Sequence, residues 1–401
     1  MARLTSAALL LISAAIAVTA QQDTCASQVL VSSDGDLSSI ASCSTFSGTA
    51  TITGASLNTV AWPALKSLTG SIKVVSNPHL TTLSLENLQS STGSISFFNN
   101  TQLSAVNMPR LKSINSLDII TAPSLRQLSL PSIESVNTLK VEDTGLDNSG
   151  NLPWSSLPKV SDLGVSNNKL LTAIDMPSLK AISGHLVIAA NGLMEGQGKG
   201  ASLHLPNLTS VSNCTLRHLT DLQVPSLTAV SSSLSFDETN LQTINVPLLK
   251  SVGQTLSIVS NNVLRNISFA ELTSIGGALL IANNTELTDV SGFNKLKDIS
   301  GVLNMRGAFN NVSLPAVTAV QGGMSVLSSS KDFDCSTLGK VKASARGKTV
   351  CQAQVKAAKP TNADGSDIDG ASVGSSATAV MNTMDKLWVA AAVLSSMIYV
   401  L

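Results

Sequence analysis

The apolar residue two places after a recurring proline slot returns at Leu65, Leu88, Leu111, Ile133, Leu157, Leu179, Leu208, Leu227, Leu249, Leu272, Leu296 and Val317. The interval is about 23 residues throughout, and a period held over so much chain is the signature of a stacked repeat. A second apolar residue follows each anchor by three places, as at Leu68, Ile114, Val136 and Val160; Ser91 is the exception. Within a repeat, apolar residues alternate, as in Leu256-x-Ile258 and Leu279-x-Ile281. Period two means strands with one face inward. The recurring prolines oppose helix. The chain is therefore expected to be all-β, a right-handed parallel β-solenoid of about twelve ~23-residue coils. Stacked at about 4.8 Å, twelve coils would make a rod of roughly 55–60 Å.

A second row supports the coil. Asn77, Asn100, Asn167, Asn191, Asn261 and Asn284 follow the alternating strand. They are expected at one corner, tolerating left-handed turns and bonding the backbone of a neighbouring coil. One interval is stretched, from Leu179 to Leu208, by the glycine-rich segment 192–200. It reads as a loop leaving the rod, functional or a neutral insertion.

Both ends carry targeting patterns. MARLTSAALLLISAAIAVTA has an early basic residue, an apolar run and small residues before Gln21. It is expected to be a secretory signal peptide over 1–20, an uncleaved anchor helix being the alternative. The segment LWVAAAVLSSMIYVL is preceded by a polar spacer and by Gly374-Ser375-Ser376. Small residues, spacer and apolar tail form a GPI-attachment signal. Gly374 is the first choice for the anchor, with Ser375 close behind; Gly370 would need a longer spacer, and a tail-anchored helix is the alternative reading. The expected organisation is signal peptide 1–20, solenoid 21–352, linker 353–374 and GPI propeptide 375–401.

In a secreted chain the sequons at Asn99, Asn207, Asn213, Asn266, Asn283 and Asn311 become candidate glycosylation sites. Cysteines should oxidise. The spacing does not fix connectivity, but Cys25 with Cys43 and Cys335 with Cys351 are the economical pairs, one closing each end. Cys214 then remains as a small core residue.

The coil L-x-x-L-x-L-P-x-L-x-x-V-x-G-x-L-x-I-x-x-N, the two cysteine caps and the GPI tail together resemble the fungal GPI-anchored cell-wall organisation proteins. These are the extracellular-mutant and sporulation-specific proteins, whose repeats are similar to the receptor L-domain of insulin and EGF receptors. The resemblance covers nearly the whole chain. It implies a cell-surface role in wall integrity and brings no catalytic residues.

No enzyme is legible. Charged residues are only 12% and the formal net charge is zero, which argues against nucleic acid as a partner. Acidic pairs are few: Glu142-Asp143, Asp237-Glu238, and Asp332 with Asp334. The first two pairs sit in turns of distant coils, and glycoside hydrolysis needs its carboxylates close together. His79, His185, His204 and His218 lack metal-ligand spacing. No catalytic residue, cofactor or metal is expected. Aromatic residues are 3%, so glycan recognition by stacking is poorly supported, while flat hydrogen bonding by Asn, Ser and Thr rows is open. Trp62 and Trp154 flank proline slots, and the pair Phe97-Phe98 is expected to face outward in part, since strand neighbours point oppositely. The expected function is a non-enzymatic, GPI-anchored surface glycoprotein supporting fungal cell-wall organisation. Its partners would be the plasma membrane through the anchor, and wall glycans or wall proteins. The alternative is a receptor-like module binding one of those ligands.

Overall fold

The computed structural model describes residues 24–54, 56–149, 154–193 and 199–355. The signal-peptide segment, the tail with Gly374 and Ser375, and residues 194–198 of the inserted loop lie outside the described residues. The described chain is nearly all β. Parallel strands stack from Gln28–Val31 through Thr49–Ile52 and Ser71–Val75 to Met324–Ser328 and Thr349–Gln352.

This principal ladder makes fourteen steps among the described residues, against the twelve coils expected. The two extra coils are terminal, and both lack the proline slot on which the count rests. The first passes through the helix Asp34–Ile40, and the last through Cys335–Leu338 and Gly339–Ser344. Each helix closes a solenoid end that would otherwise expose core and strand edge. Disulfides lie at these ends as expected, Cys25–Cys43 and Cys335–Cys351, with Cα atoms 5.7 and 5.9 Å apart.

A second ladder of short strands comes just before the principal strand of each coil, as at Ser67–Leu68, Ala229–Val230 and Ser251–Val252. A third runs in segments such as Thr59–Ala61, Thr82–Ser84 and Ala105–Asn107. Inward residues of all three merge into one apolar column. Trp62 and Trp154 are fully buried within it, and Phe269 stacks on Phe293 at 5.3 Å.

The Asn row is present but is shifted at one coil. Its buried members are Asn77, Asn100, Asn168, Asn191, Asn261 and Asn284, so Asn168 replaces the expected Asn167. The left-handed geometry belongs to the residue before each: Ser76, Asn99, Asn167, Ala190, Ser260 and Asn283 all have positive φ. The ladder side chains instead saturate the backbone. Asn261 Nδ2 donates to the carbonyls of Phe236 and Val259 and to Asn284 Oδ1, while its Oδ1 accepts from Thr239 N and Oγ1. Such a row replaces water for carbonyls the corner would strand. It lapses at Ala122 and Leu219 and is carried by Thr144 and Thr239 elsewhere.

Candidate functional site

The corner joining the second ladder to the principal ladder is where coils differ. Between the two buried residues that flank it, most coils place three residues, as in Leu68 to Ile72, Val252 to Leu256 and Ile275 to Leu279. Four coils place only two: the consecutive three at Ile114 to Leu117, Val136 to Leu139 and Val160 to Leu163, and, beyond one full-length corner, Val211 to Cys214. The ladder registers shift where long and short corners meet, between Ile114 and Ser116 and again across Val160 and Ile182. Most full-length corners pack backbone on backbone, although one is filled by Ser231-Ser232-Ser233 without glycine. A Cβ added to Gly93 would lie 1.6 Å from the Gly70 carbonyl oxygen, so only glycine fits the stack. The three consecutive short corners have no glycine and open instead with Asn115, Asn137 and Ser161. Each lost residue removes up to about 3.5 Å of chain and pulls the corner inward.

A groove of about 550 Å³ runs across these coils and their two neighbours. Its floor is Ile114, Val136 and Val160, which keep 3–4% exposure where Leu68, Ile275 and Ile299 have none. The rim is Asn115 and Asn137, with Thr92 at one end and Ser183 at the other. Asn137 Nδ2 donates to Asn115 Oδ1 at 3.3 Å, and Ser183 Oγ donates to Ser161 Oγ at 3.0 Å. Ser91, the one polar residue in the otherwise apolar row, also lines the groove. It is 4% exposed, and its Oγ has no hydrogen-bond partner. A buried hydroxyl left unmade costs stability and asks for an explanation. Lys159 is the single charged residue of the lining. The arrangement offers apolar contact below and amide and hydroxyl donors and acceptors above.

The residues singled out in the sequence lie elsewhere. Asn99, Asn207, Asn266 and Asn283 are exposed, and Asn213 and Asn311 are half-buried. None of the six lines the groove. Cys214 is buried in the core, and burial pushes its thiol up to about 12. Four of the acidic residues are engaged structurally. Glu142 pairs with Lys140 at 3.1 Å, Asp334 accepts from Ser336 N at 2.8 Å beside the closing helix, and Arg217 bonds Glu238 at 2.5 Å and lies 3.6 Å from Asp237. Burial raises the Asp237 carboxyl, opposed by Arg217. Burial, then Arg217, lowers His218. His204 sits between Asp175 at 2.6 Å and Asp221 at 2.9 Å, and His185 bonds Asp162 at 2.8 Å. These histidine partners come from adjacent coils, so a motif search along the chain misses them; the coil register, which places Asp162 beside His185, could have found that pair. Trp62 and Trp154 are wholly interior and offer no stacking face. The base of the inserted loop is tied down, since Asn240 Nδ2 donates to the Lys199 carbonyl and Gly192 N donates to Asn168 O.

The chain is 31% identical over 375 residues to a cell surface GPI-anchored protein of Arthroderma benhamiae, covering 86% of this chain and 87% of that protein. It is 28% identical to protein ecm33 of Aspergillus fumigatus over 351 residues, 87% of this chain and 85% of that one. It is 30% identical over 261 residues to sporulation-specific protein 2 of Saccharomyces cerevisiae, covering 64% of this chain and 50% of that protein. The chain thus spans about half the length of that relative. No family model matches, and no solved structure matches.

Proposed function

Because the chain belongs to the family of fungal surface proteins that includes the GPI-anchored protein of Arthroderma benhamiae, we propose that it is a non-enzymatic, GPI-anchored surface glycoprotein supporting cell-wall organisation. The match along 86% of the chain to that protein carries the reading. The solenoid supplies a rigid rod suited to display outside the membrane, and Glu142, Asp237, Glu238 and Asp334 are held in ion pairs or a cap on separate coils. In this reading residues 1–20 direct secretion, 21–352 form the rod, 353–374 tether it, and 375–401 are exchanged for the anchor at Gly374 or Ser375. N-linked glycans sit at Asn99, Asn207, Asn266 and Asn283, with Asn213 and Asn311 less accessible. The membrane is its first partner through the anchor; wall glycans or wall proteins are the second.

Treatment of intact cells with a phosphatidylinositol-specific phospholipase tests the anchor. Release of the protein into the medium, lost when Gly374 and Ser375 are both changed to bulky residues, is the expected result. Retention of the wild-type protein in the membrane after complete digestion, with no wall-linked fraction, contradicts the reading.

A further inference from the structure

We propose that the groove over Ile114, Val136 and Val160 is a binding site for one strand of a neutral polysaccharide. This deepens the surface reading and rests on it only for where such a chain would be met; the groove itself is argued from geometry.

Three observations converge on it. The first is spacing. The rim presents a hydrogen-bonding side chain at each coil step, about 4.8 Å apart, at Thr92, Asn115, Asn137, Ser161 and Ser183. An extended peptide laid along the same groove would repeat its side chains every two residues, about 6.6 Å, and would fall out of step within two coils. A chain of linked hexoses offers hydroxyls at every ring and advances by a step close to that of the coils. The second is polarity. The floor is aliphatic, matching the C–H face of a sugar ring, and the rim is made of amides and hydroxyls that both donate and accept, as sugar hydroxyls do. One lysine and no carboxylate line the groove; a polyanion would call for several cations. The third is Ser91. Its buried Oγ lacks a partner at a row position filled elsewhere by Leu, Ile or Val. A sugar hydroxyl entering the end of the groove would supply that partner. All six sequons lie outside the lining; the nearest along the ladder, Asn213, is at the corner of the coil after Ser183, paired with His185.

Full-length protein purified in detergent is titrated calorimetrically with hexasaccharides of β-1,3-glucan, chitin and mannan, and with a hyaluronan hexasaccharide as the acidic probe. Saturable binding of at least one neutral probe, and weaker or no binding of hyaluronan, is expected. Ser91→Val should weaken that binding by about tenfold or more with an unchanged or raised Tm, which separates loss of a partner from loss of fold. Asn137→Ala should weaken it by about threefold or more. Absence of saturable binding to every neutral probe would overturn the proposal. So would tighter binding of hyaluronan, or equal binding in the wild type and both variants. None of these outcomes bears on phospholipase release, so the anchor reading stands or falls separately.

Discussion

The coils over 113–163 and those over 252–324 stack in the same parallel ladders around one apolar column, yet their corners do opposite things. In the later coils Gly276 lies so close to the preceding corner that an added Cβ would meet the Gly253 carbonyl oxygen at 2.0 Å. That corner is closed by backbone. In the earlier coils the corner is one residue shorter, carries Asn or Ser and no glycine, and leaves a groove. The buried residues either side of the corner hold their ladder partners in both regions. A solenoid can thus open a site by shortening a turn, because each coil contacts only its neighbours and the fold is held by the column beneath.

The difference can be broken most strongly where the later coils depend on the Asn row. Asn261→Ala would strand the Thr239 hydroxyl and amide and two carbonyls, and urea unfolding should show a loss of about 4 kcal/mol. Ala122, at the same corner in the groove coils, already does without that side chain, so Ala122→Gly, which removes no hydrogen bond, should cost only about 1 kcal/mol. Next, Gly276→Val should cost about 2–3 kcal/mol through backbone overlap, whereas Asn137→Val, on the open rim, should cost under about 0.5 kcal/mol. Equal costs at the two corners would erase the contrast. Ser91→Val should go the other way and raise stability by about 1 kcal/mol, since it removes an unmade buried hydroxyl.

The smallest effect is electrostatic. Asp118, between the inward Leu117 and Ile119, has its carboxyl raised, first by burial and against the opposing hydrogen bond from Ser116 and charge of Lys140. For an acid with a raised folded pKa, the native state holds its proton to higher pH than the unfolded chain does. The native state is therefore penalised as pH climbs through that pKa, and the penalty is absent below the ordinary carboxylate range. Asp118→Asn should accordingly stabilise the protein at neutral pH, and the gain should fade near pH 4. Chemical denaturation at the two pH values reads the difference directly.

Most of the rod was legible from its period. The anchors at Leu65 through Val317 gave the interior coils, and the cysteine spacing gave the paired ends. The two terminal coils were missed because helices stand where the proline slot would be. The row member Asn168 was misread as Asn167 because adjacent asparagines are alike in pattern; only φ separates the left-handed one from the buried one. Those left-handed corners were invisible, since Ser76, Thr121 and Glu238 occupy them without a glycine to mark them. The groove was in plain view as a spacing, Val136-x-x-Leu139 against Val252-x-x-x-Leu256, and as the odd Ser91. Its meaning needed the neighbouring coils in register, because a missing residue becomes a recess only when three coils omit it together.

The account turns on the claim that the shortened corner makes the binding recess. Inserting one glycine after each of Asn115, Asn137 and Ser161 restores the longer corner in all three coils. Calorimetric titration of this variant with the neutral hexasaccharide bound by the wild type tests the claim most directly. Loss of saturable binding, with the far-ultraviolet spectrum and cooperative unfolding retained, is the predicted result. Binding undiminished in a variant that keeps its fold would contradict it.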